Sequence, residues 1–183
     1  ASPFCKAGKG SMHGCDVVDP LTVNPEIGNL QELRELTSQL QKHQIAWIQD
    51  IVPNHMAFHP ENNWLMELLE NGPYAKHVNV FDTSFASPFF KGPLMVPFLG
   101  RPLSEVISYG ELTLVLRDNK LKLAYFDQVY PINALGYFYL LQMNTSGKRP
   151  VLMTKMEQHL AQLLLIQDAA QFQIAWQSVC EIW

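Results

Sequence analysis

His13, Asp16 and Asp19 fall close together in "MHGCDVVDPLTVNPEIG", residues 12–28, with Gly14 between them and Pro20 and Pro25 after them. The prolines remove backbone donors and Gly14 gives up side-chain packing, which disfavours a helix or a strand. The spacing predicts a long polar loop ahead of a helix. A loop this rich in carboxylates either binds something or is held by its own hydrogen bonds. A second polar group, Asp50, Asn54 and His55 in "DIVPNHM", follows the apolar run "IAWIQDIV". A carboxylate at the end of a buried strand needs a charged or donor partner. Asn54 and His55 can present an amide oxygen and an imidazole to a ligand. The same residues also fit a plainer role, Asp50 capping a loop and His55 packing as a half-buried structural side chain.

These groups need elements to hold them. Asn29 can cap a helix in which Leu30, Leu33, Leu36 and Leu40 form one stripe, ending near His43. Ile45 to Val52 is expected to follow as a buried strand, stopped by Pro53. Helix, short link and buried strand make an α/β signature, and sites gather just past such a strand. "NWLMELLEN", closed by Gly72, reads as a short helix; Pro102 and Gly110 bracket another in "LSEVISY". "FDTSFASPFFKGPLMVPFLGRP" carries several prolines among phenylalanines and reads as a packed, non-repetitive insertion. "ELTLVL", "RDNK" and "LKLAYF" form a hairpin with Asp118 and Asn119 at the turn. The pattern is helical from Pro131: Leu135, Phe138 and Tyr139 begin it, "NTSGKRP" interrupts it, and Met156, Leu160, Leu163 and Leu164 resume it. Phe172, Trp176 and Val179 share a face of the last segment.

The chain has 183 residues, 48% hydrophobic and 16% charged, enough for about one globular domain. Its net charge of -4, without a basic block, argues against nucleic acid as a partner. No apolar run is long enough for a membrane span, and "ASPFCKAGKG" lacks a signal-peptide core. Cys5, Cys15 and Cys180 are an odd number with no C-x-x-C spacing, which fits a reducing, cytoplasmic setting. His13, His55 and His59 match no zinc spacing, so no metal is expected. "KAGKGS" lacks the phosphate-loop spacing, no cofactor is expected, and the acceptor-like "NTS" at Asn144 has no secretory context.

"DIVPNH" resembles the first conserved region of the α-amylase family of glycoside hydrolases and transglycosylases. "GSMHGCDVVDPLTVNPEIG", "PENNWLMELLENGPYA" and "PLMVPFLGRPLSEVISYGELTL" extend the resemblance in the family's order, from about Ala1 to Ile132. In the C-terminal helices only "FQIAW" is similar. The blocks point within the family to the branch that converts the reducing-end α-1,4 link of a maltooligosaccharide into an α,α-1,1 link, giving a trehalose-ended product. A 4-α-glucanotransferase or an α-amylase-type hydrolase is the neighbouring alternative.

The resemblance implies an α/β fold: a partial (β/α)8 barrel segment over residues 1–56, with Ile45 to Val52 as the third strand. Residues 57–183 would then be a mainly helical inserted domain with a β-hairpin, plus C-terminal helices. It implies a substrate-binding set of His13, Cys15, Asp16, Asp19, Asp50, Asn54 and His55. Asp16 and Asp19 would line the sugar subsite at the cleavage point, His55 would hydrogen-bond that glucose, and Asp50 and Asn54 would hold the loop behind it. Carboxylates and imidazoles bond strongly to sugar hydroxyls. Cys15 stands where the family carries a tyrosine that stacks on the glucose, and a thiol offers no aromatic face. Family members often bind calcium near the equivalent of Asn54, which this branch gives no reason to expect.

A retaining glycosidase needs a nucleophile and an acid about 5 Å apart. None of Arg34, Arg101, Arg117 and Arg149 is followed two residues later by aspartate, the family's nucleophile motif. No catalytic residue is therefore assigned: the expectation is a fragment of an enzyme, itself inactive, whose parent acts on maltooligosaccharide or α-glucan. A non-catalytic α-glucan-binding or protein-interaction module is the other class. With little of a barrel present, Trp47 and Ile48 should be exposed, or covered in a homodimer.

Overall fold

A computed structural model describes residues 1–83, 85, 94–143 and 151–181. The chain is a mixed α and β protein that divides into two compact units, Ala1–Asn63 and Trp64–Trp183.

In the first unit, β1 (Cys5–Ala7) pairs antiparallel with β2 (Val17–Val23). The polar stretch expected to be loop is thus partly strand. Pro20 is accommodated because the register jumps between Cys5↔Val23 and Lys6↔Asp19, so the residues around it belong to an irregular edge that needs no ladder donor. Ala7 and Val18 fill the small core. Helix α1 (Leu30–Lys42) starts as expected. Asn29 accepts from the Gln31 and Glu32 N–H groups, Glu32 returns to the Asn29 N–H, and His43 closes the far end. None of its residues is buried; Leu30 and Leu36 are exposed, so its leucine stripe lies open.

The expected strand at Ile45 to Val52 is absent: that segment carries no regular element. A strand exists only where a neighbour completes its ladder, and here one step of pairing is present. The amino group of Ala1 donates to the Ile48 carbonyl at 2.6 Å, and the Asp50 N–H donates to the Ala1 carbonyl at 2.9 Å. One residue bonding to two positions that flank Gln49 is the pattern of a parallel pair. Ile45, Ile48 and Ile51 are exposed, as is Trp47 at the margin, so the apolar run meets water instead of a barrel wall.

The second unit opens within α2 (Asn63–Asn71), which ends at Gly72, held at φ 57°. After α3 (Leu103–Ser108) comes a three-stranded antiparallel sheet in the order β3 (Leu112–Arg117), β4 (Lys120–Tyr125), β5 (Gln128–Pro131). Asp118 and Asn119 both take positive φ, the requirement of a tight hairpin turn. The third strand was not expected; it is short and ends in Pro131, which conceals it. Helices α4 (Ala134–Met143), α5 (Val151–Leu163) and α6 (Ala169–Cys180) complete the unit. Residues 144–150, the interruption "NTSGKRP", and most of the Phe/Pro-rich insertion lie outside the described residues.

The main core gathers Tyr137 and Leu141 from α4, Met156, Leu160 and Leu163 from α5, and Phe172, Trp176 and Val179 from α6. The expected helix is present at α4; of the residues that begin its pattern, Phe138 packs partly buried against the core while Leu135 and Tyr139 are exposed, and Ala134, Tyr137 and Leu141 are buried. That helix is apolar nearly all round, so spacing alone could not choose its buried face.

Candidate functional site

All seven residues expected to contact a ligand lie in the first unit. Around β1 and β2 the chain is shaped by short polar ties. Gly14 sits at φ 68°, and a Cβ there would lie 3.1 Å from the Pro3 carbonyl oxygen, so only glycine fits the close approach. The Ser11 hydroxyl donates to Asp16 Oδ1 and accepts the Gly14 N–H at 3.0 Å. Asp16 is exposed, and its carbonyl receives the Gly8 N–H at 3.1 Å. His13 is exposed, and its carbonyl accepts the half-buried Cys15 thiol at 3.7 Å.

Asp19 is the most firmly held carboxylate. Thr22 Oγ1 donates to its Oδ2 at 2.5 Å and the Leu21 N–H to its Oδ1 at 2.9 Å. The Thr22 bond above all holds its pKa below the ordinary value; partial burial opposes this, while the Leu21 bond and Lys6, its partner across the strands, add to it. Ser11, Thr22 and Lys6 were missed by the sequence reading. Only Thr22 left a local signal, the Asp-x-x-Thr spacing of a side-chain-closed turn.

The second stretch differs from expectation. Asp50 is exposed and not buried at a strand end, so water can hydrate its carboxylate without a partner. Its N–H bonds Ala1 and its carbonyl accepts the Gln49 side-chain amide at 2.7 Å. Asn54 and His55 are also exposed, joined by a 3.2 Å contact between Asn54 Oδ1 and His55 Nδ1. The Ala57 N–H donates to the Val17 carbonyl at 2.9 Å, which ties the chain beyond His55 back to β2. Among the described residues, no side-chain hydrogen bond or ion pair joins His13, Cys15, Asp16 or Asp19 to Asp50, Asn54 or His55. What the structure brings together is two open, acceptor-rich segments on one backbone scaffold. Such a surface can exchange hydrogen bonds with a polyhydroxylated ligand.

No family model matches the sequence. A Mycobacterium tuberculosis (strain CDC 1551 / Oshkosh) protein assigned as a maltooligosyl trehalose synthase is 36% identical over 123 residues, 62% of this chain and 16% of that protein. A crystal structure of a maltooligosyl trehalose synthase superposes with a TM-score of 0.62 at 37% identity, covering 71% of this chain and 18% of the other. A DSM5389 glycosyltrehalose synthase structure gives 0.60 at 33%, covering 80% and 20%. The chain thus spans a fifth or less of the proteins it matches. Over that segment, in both sequence and fold, it is similar to the maltooligosyl trehalose synthases.

Proposed function

We propose that this chain forms one wall of a glucose subsite in an α-glucan-active enzyme of the maltooligosyl trehalose synthase kind. The observation that carries the reading is 37% identity with a TM-score of 0.62 against a solved synthase over 71% of the chain. Residues 1–56 supply the barrel segment, in which the stretch Ile45 to Val52 meets Ala1 in a single parallel hydrogen-bonding step, and residues 57–183 the insertion and following helices. Asp16 and Asp19 accept from sugar hydroxyls, and His55, with Asn54 behind it, bonds the same glucose from the other stretch. His13 and Cys15 flank the approach, and Asp50 supports the loop. The three cysteines are unpaired, and among the described residues no helix is long and apolar enough to cross a membrane; a cytoplasmic setting fits both.

The reaction proposed for the whole enzyme moves the reducing-end α-1,4 link of a maltooligosaccharide to α,α-1,1. A protein that contains this segment within a chain of the relatives' length should convert maltopentaose to a product with no reducing end. Release of only glucose and shorter maltooligosaccharides would instead mark a hydrolase. The 183-residue chain alone should show no turnover, since no nucleophile and acid pair is assigned on it. Hydrogen bonds exchanged with water contribute only about 0.5–1.5 kcal/mol each. Calorimetry with maltotriose should therefore give a millimolar or weaker dissociation constant, and micromolar binding would mean the subsite lies elsewhere.

A further inference from the structure

Strand β3 is an edge of the three-stranded sheet, with β4 on its only paired side among the described residues. The two-residue turn at Asp118–Asn119 makes Arg117↔Lys120 a hydrogen-bonded pair, and bonded pairs then alternate along the ladder. Thr113 and Val115 therefore bond to β4, while Leu112, Leu114 and Leu116 turn their N–H and C=O groups outward. The same three residues put their side chains on one face. Leu114 is 51% and Leu116 61% exposed, although their cross-strand partners Leu123 and Leu121 are half-buried. A mainly apolar strand with an open ladder, charged only at its last residue, is a template for pairing.

We propose that this edge takes the β3 strand of a second copy of the chain, antiparallel about Leu114, to build a continuous six-stranded sheet. The pattern is self-complementary. A two-fold axis at Leu114 sets Leu112 opposite Leu116 of the second copy, so outward-facing main-chain groups meet on both strands and the leucines flank one another in one continuous stripe. The same register sets Arg117 across from Glu111 of the second copy, at both ends. Glu111 already faces Arg101 of its own chain, Oε1 to Nη2 at 3.6 Å, and Arg117 of the second copy would approach the partly exposed end of that pair. A shift of two residues in either direction would lose this charge pairing, and a shift of one would set bonded against unbonded groups.

Sedimentation of the intact 183-residue chain over a concentration series should show a monomer–dimer equilibrium. Leu114→Lys with Leu116→Lys should abolish it while circular dichroism keeps the natural signal, because neither side chain's main-chain groups bond to β4. Register is read separately by mild oxidation. Leu114→Cys falls on the axis, at the roughly 5.5 Å Cα spacing of a bonded pair, and should cross-link to itself. Leu116→Cys lies about 13 Å from its own copy at the ~3.3 Å rise of a strand, and should cross-link no more than the natural chain with its three cysteines. A chain that stays monomeric throughout overturns the proposal. So does a dimer that survives the double lysine variant, which would place the interface elsewhere, such as on the open leucines of α1. Equal cross-linking at 114 and 116 overturns the register.

Discussion

The phenol of Tyr137 clamps the main chain of Leu121: it accepts the Leu121 N–H at 2.6 Å and donates to the Leu121 carbonyl at 3.2 Å. Leu121 turns these groups away from β3, and β5 ends opposite Lys122, so no strand reaches them. A side chain from α4 supplies the missing ladder step and fastens the sheet to the helical core, where Tyr137 also meets Trp176 edge-on at 5.1 Å.

Tyr137→Phe should therefore destabilise the second unit beyond the loss of one hydroxyl, because a half-buried N–H and C=O lose their partner. The expected cost is about 1–3 kcal/mol. Urea unfolding followed by tryptophan fluorescence reads it. A change below about 0.5 kcal/mol would mean that water replaces the phenol.

Stability should fall in alkali. Burial pushes the Tyr137 phenol up to about 12 and the Cys180 thiol up to about 11. In an unfolded chain these groups ionise near 10 and 8.5. As pH rises between the two sets of values, the unfolded state releases protons that the folded state keeps, so stabilisation present below pH 8.5 is lost. The urea midpoint should drop steadily from pH 9 upward. Cys180→Ala should flatten the lower part of that fall, and an unchanged slope would refute the assignment.

Asn29→Ala should loosen α1, since it removes an acceptor for two N–H groups at once and leaves Glu32 with half of a capping box. The cost is about 1 kcal/mol. With no residue of the helix buried, packing offers little compensation. Amide exchange in 30–36 should rise in the variant while exchange in the second unit stays unchanged.

Phe126 is held at φ 53° in the turn between β4 and β5, in a region where a side chain costs about 1–2 kcal/mol, and its ring is 69% exposed. Phe126→Gly should raise the melting temperature despite losing the ring contact with Tyr125. A fall would show that the Tyr125 contact, at 4.5 Å between centroids, outweighs the backbone strain.

The parts of the fold legible in the sequence are those decided within a few residues. Asn29 and Glu32 sit three apart and make the box; Asp118 and Asn119 tolerate the positive φ that closes the hairpin; Phe172, Trp176 and Val179 share a helical face. The parts that failed depend on distant partners. Ile45 to Val52 has strand composition, but composition cannot supply a neighbour, and the segment pairs only at Ala1. Asp50 was expected to be buried for the same reason and is exposed. At the candidate site, residue types suggested acceptors at Asp16 and Asp19; Ser11 and Thr22, which hold them, lie within five residues, and only Lys6 reaches Asp19 across the strand pair that carries Pro20.

The Asp19 carboxyl offers the most direct test of that local architecture. Its pKa is lowered first by the Thr22 hydroxyl, against partial burial, and then by the Leu21 N–H and the Lys6 charge. Because the folded value lies below the unfolded one, the stabilisation is complete above the ordinary carboxylate range and is lost as pH falls through the folded value. At neutral pH Asp19 is thus ionised, and each oxygen keeps a lone pair for a ligand hydroxyl beyond the one engaged by Thr22 or Leu21. Carbon-detected titration of the side chain should give a midpoint below that of a free aspartate. Thr22→Val, which keeps the shape and removes the donor, should return the midpoint towards the ordinary value. Lys6→Ala should move it less. If Thr22→Val leaves the midpoint in place, the strand pairing and not the hydroxyl sets the charge of this residue, and the order of causes inferred from the geometry is wrong.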